Sequence, residues 1–184
     1  MTMSMKQFYM DTNVFISGLK PDDPYHSEAK AIIKSLEEDE LQAETSVLTL
    51  LEVASASGRL YEAKKGVKSG EKERKVFIIR ILRRLAGLRT KFINVAGDMP
   101  LSISGINATL PSVFNEAILL SVQTSLRTLD LIHLAAAKHA KRKNSDLGAF
   151  VTGDKEFLSK KKELSEIVGM PLVSPREYAE VLGV

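Results

Sequence analysis

The chain has 184 residues, of which 44% are hydrophobic and 27% are charged, and its formal net charge is +3. This size and composition are ordinary for a globular protein with one substantial core. The chain has no cysteine, which excludes disulfide scaffolds, cysteine-based zinc sites and thiol catalysis. No apolar run reaches the roughly 20 residues of a membrane span, and the first residues lack a signal-peptide core, so we expect a cytoplasmic protein without membrane partners.

The first elements are a strand and an amphipathic helix. Met5–Met10 is predicted to be a short apolar strand. After a proline-containing turn, Ser27 is predicted to cap a helix whose apolar residues recur at helical spacing. The residues predicted to face inward are Ala29, Ile32, Ile33 and Leu36. Leu41–Ala43 is then a short strand, and TSVLTLLEVASAS is a second helix, capped by Thr45 or Ser46.

The next helix is strongly basic. The helical pattern breaks around Gly66–Gly70 and resumes in EKERKVFIIRILRRLAGL. The predicted apolar stripe of this helix is Val76, Ile79, Leu82 and Ala86. Arg80, Arg83 and Arg84 share the opposite side. Residues 59–91 together carry a net charge of +9, which indicates either a polyanionic partner or a solvated helix face.

The remaining elements continue an alternating pattern. KFINV is a strand, and a loop that contains glycine and serine then extends to Pro111. Helices follow in SVFNEAILLSVQ and LRTLDLIHLAAAKHAKRK, then a strand in GAFVT, a helix in KEFLSKKKELSEIV, a strand in PLV and a helix in PREYAEVL. Because strands and helices alternate without an obvious linker, we predict a single α/β domain over residues 1–184, with a mostly parallel central sheet flanked by helices.

Four carboxylates stand in apolar surroundings, where an unpaired charge is costly. Asp11 and Asp154 each follow a predicted strand, which is where open α/β sheets place their sites. Glu52 lies within the apolar helix VLTLLEVASA, and Asp130 begins the helix that contains LDLIHLAAA. Each also has an ordinary interpretation, as a turn or cap residue for the three aspartates and as a solvated surface residue for Glu52.

Taken together, the four acids predict a cluster of anions that needs a cation to remain ionised. Oxygen ligands without cysteine and with little histidine indicate a hard cation. Mg²⁺ and Mn²⁺ both prefer carboxylate and water ligands, so either ion fits better than zinc.

These four stretches, in this order, resemble the PIN-domain family, the Mg²⁺- or Mn²⁺-dependent ribonucleases that include VapC-type toxins. The resemblance covers nearly the whole chain and rests on YMDTNVF, TSVLTLLEVAS, SLRTLDLIHLAAA and AFVTGDKEF, with lesser likeness in YHSEA and LVSPREYAEVL. It implies that the metal-binding and catalytic acids are Asp11, Glu52, Asp130 and Asp154. Asn13 and Thr152 match family positions that support the site with hydrogen bonds. The interval between Glu52 and Asp130 is long, so we expect a PIN-like domain with an extended helical and loop insertion.

The resemblance also implies a function. We expect an endoribonuclease that leaves 5′-phosphate and 3′-hydroxyl ends, either as the toxin of a toxin–antitoxin pair or as an RNA-processing nuclease. The implied partners are RNA, a protein antitoxin and a second copy of the chain. Because carboxylates repel a phosphate backbone, we predict that Arg80, Arg83 and Arg84 contact the RNA. His133 is predicted to be packed or hydrogen-bonded rather than a general base.

Two other functions are compatible with part of the pattern. A phosphatase with an aspartate nucleophile in a DxD motif would use Asp11, but the second position of that motif is Asn13. A non-catalytic PIN fold that binds RNA or acts as a scaffold would keep the fold without turnover, and the presence of all four acids argues against it. The sequence has neither the G-x-S-x-G motif of serine hydrolases nor a P-loop.

Overall fold

Strands and helices alternate through the part of the chain that the computed structural model describes, residues 5–65, 70–93, 98–100 and 109–183. In chain order the elements are β1 (Gln7–Met10), α1 (Thr12–Leu19), α2 (His26–Glu37), β2 (Gln42–Ser46), α3 (Leu48–Lys65), α4 (Glu71–Ala86), β3 (Thr90–Ile93), β4 (Asp98–Pro100), β5 (Thr109–Pro111), α5 (Ser112–Gln123), α6 (Thr128–Lys143), β6 (Ala149–Val151), α7 (Lys155–Ser159), α8 (Lys161–Val168), β7 (Leu172–Val173) and α9 (Pro175–Leu182).

The central sheet has five strands in the order β3-β2-β1-β6-β7, and all four pairings are parallel. The predicted α/β class with a parallel central sheet is therefore confirmed. β1 lies in the middle, where Phe8 pairs with Ala43 of β2 and with Ala149 of β6. Because every strand runs in the same direction, the carboxyl ends of all five strands lie at one edge of the sheet.

The sheet is buried on both faces around β1 and β6, which explains why Phe8–Met10 and Ala149–Val151 are apolar without alternation. Successive residues of β1 point to opposite faces. Phe8 is fully buried and its ring lies 4.7 Å from that of Tyr178 in α9, within the core that α2 also covers. Tyr9 is also fully buried and packs edge-on against Phe150 at 4.9 Å, within the core that α6 covers.

The predicted start of α2 is wrong by two residues, although its buried face is confirmed. The helix begins at His26, and Tyr25 rather than Ser27 occupies the N-cap position. Asp23 accounts for the earlier start, because its side chain accepts a hydrogen bond from the Tyr25 amide at 3.0 Å and its carbonyl accepts one from the His26 amide at 3.0 Å. The four residues predicted to face inward, Ala29, Ile32, Ile33 and Leu36, are all buried.

Two residues, Thr45 and Ser46, were predicted as alternative caps of α3, and the structure gives them different roles. Ser46 accepts a hydrogen bond from the Leu48 amide at 3.2 Å, which satisfies one donor of the first turn. The Thr45 hydroxyl instead donates to the carbonyl of Met10 at 2.7 Å and so links β2 to β1. The second of the two predicted caps, Ser46, is therefore the one that serves the helix.

The predicted apolar stripe of α4 is largely wrong. Val76 is 53% exposed, Ile79 is 36% exposed and Ala86 is exposed, whereas Leu85 is fully buried. The helix is rotated about its axis relative to the prediction because it packs against α3 through Phe77. The ring of Phe77 lies 5.4 Å from that of Tyr61. Apolar residues recur at helical spacing on two sides of this helix, and packing against α3 determines which side is buried.

Part of the predicted insertion between Glu52 and Asp130 is visible. It contains α4, β3, α5 and an antiparallel pair in which Asp98 of β4 lies opposite Pro111 of β5, within the region predicted as a loop. Of the predicted break at Gly66–Gly70, residues 66–69 lie outside the described part, as do residues 101–108 of the predicted loop. Among the described residues, no helix combines the length and the apolar character that crossing a membrane requires.

Candidate functional site

The four predicted acids lie around one cavity at the carboxyl edge of the sheet. Asp11 directly follows β1, Asp154 follows β6 after two residues, Glu52 lies in α3, and Asp130 lies in the first turn of α6. All four side chains line a cavity of about 460 Å³, together with His133. Residues that are separated by up to 143 positions in sequence are thus brought together by the parallel sheet and its flanking helices.

Asp11 is held in place by the two residues predicted to support it. Its side chain is 5% exposed, and its Oδ2 accepts hydrogen bonds from Asn13 Nδ2 at 2.5 Å and from Thr152 Oγ1 at 2.7 Å. The Gly153 amide in turn donates to Asn13 Oδ1 at 2.7 Å, which fixes the orientation of the amide. Burial raises the pKa of Asp11, although His133 and Thr152 act in the opposite direction.

Glu52 is oriented by α1 and α6. Its Oε2 accepts hydrogen bonds from the Thr12 hydroxyl and, at 2.7 Å, from His133 Nε2. Thr12 belongs to a buried chain of hydroxyl groups, because it also lies 2.9 Å from the Thr49 hydroxyl. Burial raises the pKa of Glu52, but the hydrogen bond and the charge of His133 outweigh it, so the pKa lies below its ordinary value.

His133 lies between two of the acids. The ring is 3% exposed, and its Nδ1 lies 4.0 Å from Asp11 Oδ1 and 3.3 Å from the Tyr9 hydroxyl. Burial lowers the pKa of His133, but the hydrogen bond to Glu52 and the charge of Asp11 together outweigh burial. The pKa of His133 therefore lies above its ordinary value. The imidazolium form therefore offsets part of the negative charge of the site.

Asp130 is the acid whose charge is least compensated. Burial, and then the negative charges of Asp154 and Asp11, raise its pKa to about 6. His133 acts in the opposite direction but is the last of the contributions. A carboxylate in this setting is stabilised by any cation that enters the cavity.

Asp154 has two roles that the sequence presented as alternatives. Its Oδ1 caps α7 by accepting hydrogen bonds from the Glu156 amide at 2.6 Å and the Phe157 amide at 3.3 Å. Its own amide donates to Thr152 Oγ1 at 3.0 Å. The cap interpretation is thus correct, and the same side chain also lines the cavity with the other acids.

The donor chemistry of this cavity fits a hard cation. Carboxylate oxygens are the ligands that Mg²⁺ and Mn²⁺ prefer. In the described part of the chain, however, no three acidic or histidine side chains stand close enough around one point to hold a metal ion as they are placed. The hydrogen bonds of Asp11 with Thr152 and of Glu52 with His133 provide a physical reason, because they hold the two carboxylates towards the protein.

The predicted RNA-contacting arginines lie away from the acids. Arg80, Arg83 and Arg84 are exposed on α4, and Arg84 Nε lies 2.9 Å from Glu37 Oε1 of α2. None of the three lines the cavity of the acids. Arg59 of α3 does line it, and its Nη1 donates to Ser55 Oγ at 2.7 Å.

A second cavity adjoins the first. It has a volume of about 870 Å³ and extends between the start of α2 and the start of α7. The residues that line both cavities are Asn13, Glu52, Leu129, Asp130 and Asp154. Arg127, Lys155 and Tyr25 line only the second one. The sequence analysis gave no role to these three residues or to Arg59, although Tyr25, Arg127 and Lys155 lie within its motifs and Arg59 begins the basic segment.

No family model matches this chain, and no curated protein matches it with significance. The function therefore has to be argued from the chemistry of the cavity.

Proposed function

We propose that the protein is a Mg²⁺- or Mn²⁺-dependent ribonuclease that hydrolyses phosphodiester bonds of RNA at Asp11, Glu52, Asp130 and Asp154. One observation carries the proposal: four carboxylates from four separate elements line a single cavity. The negative charges of Asp154 and Asp11 raise the pKa of Asp130. Such repulsion between carboxylates is unfavourable unless a cation binds among them, and it is typical of functional sites. The resemblance to PIN-domain ribonucleases supports the same function.

The acids would hold the metal, and the other residues would orient the acids. When bound, a divalent ion would supply charge stabilisation for the phosphate and would lower the pKa of a water molecule in the cavity. Thr152 and Asn13 fix one oxygen of Asp11, and Thr12 and His133 fix one oxygen of Glu52. Such partners keep ligands in place before the substrate binds.

The role of His133 in this proposal is positional. It is 3% exposed and is bonded to Glu52, so it is poorly placed to take a proton from a water molecule in the cavity. Its charge instead lowers the cost of keeping Asp11 and Glu52 ionised.

The protein partners implied by the resemblance stay predictions. Apolar surface for a second copy or for an antitoxin is present on α5, where Val122 is 86% exposed, Leu119 is 44% exposed and Phe114 is 41% exposed. Exposed apolar patches of this kind are typical of interaction sites. Light scattering on the purified protein, alone and after co-expression with a neighbouring small reading frame, measures both associations.

The direct experiment is a cleavage assay on labelled single-stranded RNA. We expect cleavage with Mg²⁺ or Mn²⁺, no cleavage with EDTA, and recovery when excess metal is restored. Robust cleavage in the presence of the chelator would contradict the proposal. RNA binding without cleavage under every divalent ion tested would instead favour the non-catalytic RNA-binding alternative, and an aspartyl-phosphate trapped on Asp11 would favour the phosphatase.

A further inference from the structure

The two cavities form one groove with the acids in its middle. The residues that they share include three of the four acids, Glu52, Asp130 and Asp154. From these acids one arm of the groove runs along α3 and ends at Arg59; we call it the α3 arm. The other arm runs between α2 and the start of α7, where Arg127 and Lys155 lie; we call it the α7 arm.

Each arm therefore has its own cation. Arg127 is 87% exposed, and its Nε lies 3.9 Å from Glu156 Oε2, which is too far for a close hydrogen bond. Arg59 is exposed, and its Nη1 donates a hydrogen bond to a neutral hydroxyl, that of Ser55. Neither guanidinium is tied to a close carboxylate in these contacts, so each can bind a phosphate at little cost.

The walls of the groove also offer surfaces for bases. Leu51 is 68% exposed and Leu129 is 50% exposed, and both line the α3 arm beside the acids. Tyr25 lines the α7 arm, where its ring lies against Gly153. Aromatic and apolar side chains near cations that can hold phosphates are typical of sites for single-stranded nucleic acid, whose unpaired bases can stack on them.

We propose that single-stranded RNA lies along the whole groove, with Arg59 and Arg127 holding phosphates on opposite sides of the bond that is cut. This inference rests on the proposed function and deepens it. A strand that continues past the acids in both directions is cut internally, so the groove accounts for endonucleolytic cleavage. The substrate cations are accordingly the groove arginines, and not the α4 arginines that the charge pattern of the sequence indicated.

The test measures RNA affinity against salt concentration. The parent protein is the Asp130→Asn variant, studied in EDTA so that the RNA stays intact and one repulsive charge is removed. Each phosphate contact on a single strand contributes about −0.7 to the slope of log affinity against log salt. We expect Arg59→Gln and Arg127→Gln each to reduce the size of the slope by about 0.7, and the double variant by about 1.4, because the two residues act independently.

The matched control is Arg83→Gln, which removes an exposed arginine of α4 that lines neither cavity. We expect its binding line to superimpose on that of the parent. Parent-like lines for Arg59→Gln and Arg127→Gln would overturn the inference, and so would a flattened line for Arg83→Gln alone. If the wild-type protein still cuts RNA in those cases, only the path of the strand is wrong; if it neither binds nor cuts RNA, the proposed function fails as well.

Discussion

Glu52 of α3 and His133 of α6 are joined by a hydrogen bond of 2.7 Å, although 81 positions separate them in the sequence. This bond connects the two helices that form opposite walls of the acid cavity. The contact raises the pKa of His133 and lowers that of Glu52, so it favours the charged form of both side chains. The bond fixes the position of Glu52, whereas the carboxylate of Asp130 remains available to a cation.

Replacing single acids by amides is expected to abolish RNA cleavage. Asn has nearly the size of Asp but lacks its charge, so Asp11→Asn and Asp130→Asn should each reduce the cleavage rate by at least about 100-fold while the protein stays folded. Asp22→Asn, a change at an exposed loop residue, is the control and should cut at the wild-type rate. If either site variant retained wild-type activity, that residue would not belong to the reaction.

Metal binding is expected to raise the melting temperature. A ligand present at about 100 times its dissociation constant stabilises the folded state by about 2.7 kcal/mol, which is about 5–10 °C for a chain of this size. Differential scanning fluorimetry should show this shift for the wild type with Mn²⁺ and a much smaller one for Asp130→Asn.

The same measurement in EDTA has a second expected outcome. There the Asp130→Asn variant should melt at or above the wild-type temperature, because the change removes repulsion from Asp154 and Asp11. An equal shift with Mn²⁺ for both proteins would place the metal elsewhere.

His133→Gln is expected to cost more stability than activity. The change removes a buried cation that contacts Glu52 and lies near Asp11, and a lost hydrogen bond to a charged group costs about 2 kcal/mol. Chemical denaturation should detect this loss, and His139→Gln on the same helix is the matched control with a smaller effect. A cleavage defect as large as that of Asp130→Asn, with an unchanged unfolding free energy, would instead make His133 catalytic.

Glu116 is expected to make stability depend on pH. It joins α5 to α6, with its Oε1 2.7 Å from Lys138 Nζ and its Oε2 3.2 Å from Arg142 Nη1. Burial raises the pKa of Glu116, but Lys138 and Arg142 lower it by more than burial raises it. The folded-state pKa of Glu116 therefore lies below the unfolded-state pKa. The stabilisation is therefore present above the unfolded-state pKa and is lost as the pH falls through the folded-state pKa.

The measurement is the difference in unfolding free energy between the wild type and Glu116→Gln. We expect a difference of up to about 1 kcal/mol at pH 7, because the pair is partly exposed. The difference should shrink as the pH falls through the folded-state pKa of Glu116. Glu163→Gln, at an exposed position of α8, should show no such trend. A difference that is the same at pH 7 and pH 3 would mean that the ion pairs do not stabilise the contact.

The sheet and the grouping of the acids were predictable because they depend on local patterns. Short apolar runs identified β1 and β6, and alternation with helices predicted that the strands of the central sheet are parallel. The polar strand β2 extends to Ser46, three residues beyond its predicted end, because no apolar pattern marks it. Parallel strands end at a common edge, so Asp11 and Asp154 had to lie near each other. Asp130 and Glu52 were placed on the correct helices because the patterns around them are strongly helical.

Contacts between distant side chains were not predictable in this way. The buried face of α4 depends on Phe77 meeting Tyr61, and a helix with apolar residues on two sides gives no means of choosing between them. The partnership of His133 with Glu52, and the positions of Arg59 and Arg127 at the cavities, depend on how helices are oriented in space. Local charge density identified α4 as basic, but it carries no information about which cations lie near the acids.

The central position of β1 has a consequence for synthesis of the protein on the ribosome. β1 is translated first among the strands, yet it acquires its neighbour β6 only when residues 149–151 have emerged, and the Asp11–Thr152 hydrogen bond spans 141 positions. Pairings between such distant segments form late, because the intervening chain has to be ordered first. An unfinished chain therefore cannot assemble the four acids, and under the proposed function it would cut no ribosomal RNA while it is being made.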